Sequence, residues 1–171
     1  MFEGLDESGN GNGERFILAN THLTANTKSA EHGKNSRLIN VEQVWEALEP
    51  FTEKYPDTSI IIGCDFNATI NSDELKKFMG YGFSRCQDTA DEADNDCSIH
   101  HYPFYNVDLD YFTHGFPSSA TADSSIDHIF QYGEAIDAKL FDTLKTPFTV
   151  TFSDHSPLLL DFDVIQPTTT E

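Results

Sequence analysis

Four short apolar runs in this chain begin or end in residues that carry chemistry. "RFILAN" runs out into Asn20-Thr21-His22-Leu23. "TSIII" runs out into Gly63-Cys64-Asp65-Phe66-Asn67. "SIDHIF" holds Asp127 and His128, and "PLLLDF" is entered through Ser153-Asp154-His155-Ser156-Pro157. A short apolar run bounded by polar residues reads as a buried strand that delivers its end to a surface. Taken singly each is weak. A lone Asp beside a strand is usually a turn former, and a lone His is usually an ordinary surface or core residue. Four together are a constraint on the fold, because ligands of α/β proteins collect where strand ends meet.

Between these runs the period changes. From about Asn35 to Phe51 the residues Leu38, Val41, Val44 or Trp45, and Leu48 recur at helical steps, and Pro50 and Pro56 are expected to close that helix. Ser72 is placed to cap a short helix, "DELKKFM", that stops at Gly80. "AIDAKLFDT" is a further strand. "DTADEADNDC" is acidic and poor in apolar residues, and reads as an exposed loop. Strands alternating with helices give an α/β class with a sheet that need not be all parallel. Residues 1–14, rich in Gly, Asn and acids, read as a flexible N-terminal segment, 15–165 as one domain, and 166–171 as a tail.

With 171 residues, 38% of them apolar, the chain can build one sizeable core. Its 29 acidic and 10 basic residues give a net charge of -19, a field that repels polyanions and lacks the basic patch of a nucleic-acid binder. Most of the acids read as a solvated face, while a few could hold a hard divalent cation. Cys64, Cys86 and Cys97 form neither a disulfide framework nor a CxxC pair, which points to a reducing compartment. No apolar run approaches the roughly 20 residues of a membrane helix. The first residues show no secretory pattern. A cytoplasmic or nuclear location is expected.

"NTHL", "GCDFNA", "SIDHIF" and "SDHSP", in this order, resemble the endonuclease/exonuclease/phosphatase superfamily of metal-dependent phosphohydrolases. The resemblance spans about Arg15 to Ile165. It implies a DNase I-like fold, two β-sheets packed as a sandwich and flanked by helices, here without its N-terminal part. Two departures stand out. Cys64 reads as an insertion, GCDFN where many members have GDFN. The upstream half, which in the family supplies an Asn and a metal-binding Glu, has no counterpart before Arg15; Glu3, Glu7 and Glu14 do not match it.

The resemblance also implies roles. Asp65 would orient or activate the attacking water and serve the metal, and Asn67 would donate its amide to the phosphate. Asp154 would serve the metal, directly or through water. His155 would face the phosphate as general base or charged ligand, with Asp127 accepting its hydrogen bond. His22 would contact the phosphate or protonate the leaving group. Arg37 would steady the site as a substrate-binding residue or make an ordinary salt bridge, and Asn40 stands where family members have Gln. His128 reads as packing, and His100, His101 and His114 as loop residues. The cofactor implied is a divalent metal, Mg²⁺ or else Mn²⁺. The partner implied is a phosphorylated small molecule, lipid headgroup or nucleic acid. Two further readings stand beside hydrolysis: a half-domain that binds without turnover or depends on a complementary N-terminal half, and Met1 as an internal methionine of a longer hydrolase.

Overall fold

Ile60, Ile61 and Ile62 are each less than 5% exposed, so the strand that carries them is covered on both faces and must lie inside a sheet. The computed structural model describes residues 1–5, 8–25, 30–93, 125–144, 155 and 157–165. In chain order these form β1 (Phe2–Leu5), β2 (Gly11–His22), α1 (Ala30–Lys54), β3 (Ser59–Asp65), α2 (Asp73–Gly80), β4 (Phe83–Arg85), the short α3 (Cys86–Thr89), β5 (Glu92–Ala93), β6 (Asp127–Tyr132), β7 (Ile136–Thr143) and β8 (Leu158–Val164). One sheet has the order β1-β2-β3-β6-β4 and a second the order β5-β7-β8. The fold is α/β, with mixed sheets as expected: β2 and β3 are parallel, joined through α1, while β6 runs antiparallel to both β3 and β4.

Alternation along the strands sorts the residues between two faces. Ile60, Ile62 and Cys64 of β3 and Phe130 of β6 face α1 and α2, where they meet Val41, Leu48, Leu75 and Phe78. Phe78 stacks on Phe83 at 4.1 Å between ring centroids and meets Phe66 edge-on at 5.2 Å. Phe16 on the opposite face of β2 meets Phe162 of β8 edge-on at 5.4 Å, tying the first sheet to the second.

Two local expectations in the first half of the chain need correction. The glycine-rich start is not a loop. Phe2 pairs with Phe16 and Leu5 with Gly11, so β1 and the first half of β2 form a hairpin whose turn passes through Gly9 at φ +80°. Nor does Pro50 end its helix. A proline removes its own N–H bond and its ring crowds the carbonyl four residues back, here that of Glu46 on an exposed face that water reaches, yet α1 runs on to Lys54. The β2–β3 ladder runs from Phe16↔Ser59 to His22↔Asp65 without a shift, so Cys64 fills an ordinary strand position. Ser72 caps α2 as expected, its Oγ accepting from Leu75 N at 3.2 Å. The loop expected at "DTADEADNDC" is not one over its first part: Asp88 and Thr89 belong to α3, and Glu92–Ala93 form β5, which pairs with β7. Its last four residues, Cys97 among them, and His100, His101 and His114 lie outside the described residues.

His128 is wholly buried, in ring contact with Phe66 and Phe130. Its Nε2 donates to Ala68 O at 3.1 Å, while Nδ1 has no hydrogen-bond partner among the described residues. Burial pushes this imidazole down to about 4. The unfolded chain takes up a proton below an ordinary histidine pKa that folded His128 refuses, so this residue costs stability as pH falls. Its contribution should decline by about 1 kcal/mol per pH unit between roughly pH 6.5 and 4. In urea denaturation across that range, His128→Phe should lose less stability on acidification than the parent chain. Parallel curves would contradict this.

Candidate active site

Three adjacent strands reach the same height at one edge of the first sheet. His22 of β2 pairs with Asp65 of β3, and Asp65 pairs with Asp127 of β6. Laterally paired residues point to the same face, so the three side chains stand in a row on the face opposite α1 and α2. The two carboxylates lie inside, 17% and 16% exposed, and His22 forms the rim at 68%. Among the described residues the row gains a fourth member from just before β8, where His155 Nδ1 stands 2.8 Å from Asp127 Oδ2.

Past β3 the chain turns sharply at Asn67, whose φ of +49° is left-handed, a conformation asparagine tolerates better than most residues. Asp65 Oδ1 accepts from the Asn67 backbone N–H at 2.8 Å, which closes the turn. The Asn67 side chain then reaches back across the row. Its Nδ2 donates to Leu23 O at 3.0 Å and stands 3.0 Å from His22 Nε2. Where His22 Nε2 carries no proton it accepts there, both Nδ2 hydrogens are then engaged, and Nδ2 can reach a phosphate only if His22 moves aside. His22 Nε2 is also 3.4 Å from Asp65 Oδ2.

Burial raises the Asp65 carboxyl above the usual range; the backbone N–H of Asn67 opposes this and the charge of Asp127 adds to it. Two half-buried carboxylates side by side make a place where a cation is welcome. Asp65, Asp127 and His155 each offer a ligand atom within 4.8 Å of the others. The oxygens suit a hard divalent ion, while His155 already directs Nδ1 at Asp127. Burial pushes the Cys64 thiol well up, so it is no nucleophile.

The structure therefore brings together five residues singled out in the sequence: His22, Asp65, Asn67, Asp127 and His155. Asp154 lies outside the described residues. Arg37 is elsewhere. Its side chain is 8% exposed on the helical side of the sheet, with Nε donating to Glu74 Oε1 at 2.8 Å, the ordinary salt bridge that was its other reading, and it ties α1 to α2. The Leu23 carbonyl was missed, as a backbone acceptor leaves no mark in the sequence.

No family model matches the chain, and no curated protein matches it. Solved structures do match in fold. An endonuclease/exonuclease/phosphatase family protein from Bacteroides thetaiotaomicron is similar with a TM-score of 0.64 at 18% identity, over 90% of this chain and 50% of that one. A mannosyl-6-phosphatase of the same organism gives 0.62 at 18%, over 89% and 52%. The human Nocturnin catalytic domain, solved with a bound sulfate anion, gives 0.56 at 22%, over 90% and 48%. The chain thus has the fold the sequence motifs resemble, and spans about half the length of the solved structures it matches.

Removing one partner of a buried ion pair strands the other. Arg37→Met should cost about 3–5 kcal/mol in urea denaturation. The double variant Arg37→Met with Glu74→Leu should recover most of that loss, whereas equal losses in both would show that the pair is not coupled.

Proposed function

We propose that this chain carries the phosphate-facing, acid–base part of a divalent-metal-assisted phosphoester hydrolase. The observation that supports this best is the row His22–Asp65–Asp127, closed at one end by His155 and floored by Asn67. His155 donates Nδ1–H to Asp127, which orients the ring, and its Nε2 would hold or move a proton at the phosphate. Asp65, with its carboxyl raised towards neutrality, is a better base for an attacking water than an ordinary carboxylate. A phosphate that draws His22 aside receives one Nδ2 hydrogen of Asn67, while the other remains on Leu23 O.

Asp65, together with Asp154, would hold the metal, Mg²⁺ or Mn²⁺, and the ion would neutralise charge on the phosphoryl oxygens. The net charge of -19 favours a small phosphorylated substrate over a long polyanion. A complementary segment is proposed to complete the sandwich, since the fold's matches are twice as long. A second reading, a half-domain that binds phosphate without turnover, is favoured by the inner face itself. Leu18 and Phe2, on that face of the first sheet, are each more than half exposed.

Bis(p-nitrophenyl) phosphate and p-nitrophenyl phosphate with Mg²⁺ or Mn²⁺ decide between them. Hydrolysis by the isolated chain, lowered about 100- to 10,000-fold in His155→Ala and Asp127→Ala, is the expected result. Phosphate binding without hydrolysis would support the half-domain reading, and neither binding nor hydrolysis would contradict both.

A further inference from the structure

Asn40 of α1 lies on the helical side, outside the row itself, and one rigid unit connects it to the site. Its Oδ1 accepts from Thr24 N at 3.1 Å and from Thr24 Oγ1 at 2.7 Å. Its Nδ2 donates to Gln43 Oε1 at 3.2 Å, one helical turn on. The amide orientation is dictated from the other side, because Thr24 N–H can only donate and must therefore meet the oxygen.

Thr24 N–H and Leu23 C=O belong to the same peptide group. That group is planar and trans, so the two bonds point in opposite directions from one rigid plate. Asn40 holds one end of the plate, and Leu23 O at the other end accepts from Asn67 Nδ2 at 3.0 Å. The preceding peptide is fixed as well, Leu23 N donating to Asp65 O at 2.8 Å. Turning the plate to release Asn40 therefore swings the Leu23 carbonyl off Asn67, with nothing softer in between. The bonds also lie in series through the amide, so each polarises the next.

We propose that Asn40 is a positioning residue for Asn67. It sets the Leu23–Thr24 peptide, and that peptide aims the Asn67 amide at the phosphate and fixes its contact with His22. The inference rests on the proposed reading of the site, but the coupling itself is a property of the unliganded chain. Asn40 lines a cleft of about 310 Å³ between β2 and α1, together with His22, Leu23 and Gln43. Water entering that cleft can solvate Thr24 N–H once the acceptor is gone, so loss of the bond alters the plate without unfolding the sheet.

The test compares Asn40→Leu, which removes the acceptor, with Asn40→Asp, which keeps it. In ¹⁵N-correlated NMR spectra of the unliganded protein, Asn40→Leu should shift the Asn67 side-chain amide, and Asn40→Asp should return it towards the parent position. In hydrolysis of bis(p-nitrophenyl) phosphate, Asn40→Leu should lower kcat about 10- to 100-fold with KM changed less than threefold, as expected for a small misplacement of a reacting geometry. Asn40→Asp should stay within a few-fold of the parent. Should Asn40→Leu fail to fold, Asn40→Ser, which draws the acceptor back from Thr24, should give a smaller shift in the same direction. An Asn67 amide unmoved in a folded Asn40→Leu or Asn40→Ser chain overturns the inference, whatever the activity. No hydrolysis by the parent would remove the enzymatic reading and leave the NMR comparison to decide the coupling.

Discussion

The shared register of β2, β3 and β6 is the constraint on which the site depends. His22, Asp65 and Asp127 are far apart in sequence and come level only because seven β2 residues pair with β3, and six β3 residues with β6, with no slip. A slip of one residue between two strands would turn one member of the row towards the aromatic core. The core makes that costly. Ile60, Ile62 and Phe130 would leave their contacts with α1 and α2, at about 1.5–3 kcal/mol for each side chain exposed. Hydrophobic alternation thus holds the polar row in place, and strands give it a stiffer base than loops would.

Electrostatics then acts on a geometry already set. In a chain of net charge -19, two carboxylates side by side raise the local cost of negative charge, and burial of Asp65 increases it. The neighbouring groups answer in different ways. His155 presents Nδ1 to Asp127, the Asn67 backbone donates to Asp65, and His22 stands at the rim within 3.4 Å of the same carboxylate. A cation and a phosphate would meet complementary partners here, one on the acids and the other on the imidazoles and the amide. The helical side supplies rigidity: Arg37 and Glu74 lock α1 to α2, and Asn40 fastens the Leu23–Thr24 peptide.

Much of this was legible in the sequence, for physical reasons. β3 and β6 are short apolar runs whose period and polar ends agree, so both strands and their chemistry could be read together. Ser72 and the helix it caps follow a local rule that tertiary contacts did not override. The N-terminal hairpin was hidden because Gly and Asn mark turns wherever they occur, while its pairing is decided by Phe2 stacking on Phe16 at 5.3 Å, a long-range contact. Pro50 misled because a proline weakens or kinks a helix without always ending it, and here the helix runs on to Lys54. Arg37 had two readings in the sequence, and its salt bridge to Glu74 became visible only once the fold showed which side of the sheet α1 covers. The Leu23 carbonyl and the plate it shares with Thr24 have no side-chain signal at all and needed the fold.

The most direct test of the central claim is a titration of the isolated chain with inorganic phosphate in the presence of Mg²⁺, followed by NMR of the histidine rings and the Asn67 side-chain amide. If the register builds one phosphate site, the His22, His155 and Asn67 signals move together with a single apparent Kd, while buried His128 stays still. Movement of His22 without His155, or of neither, would mean that the row does not work as one site.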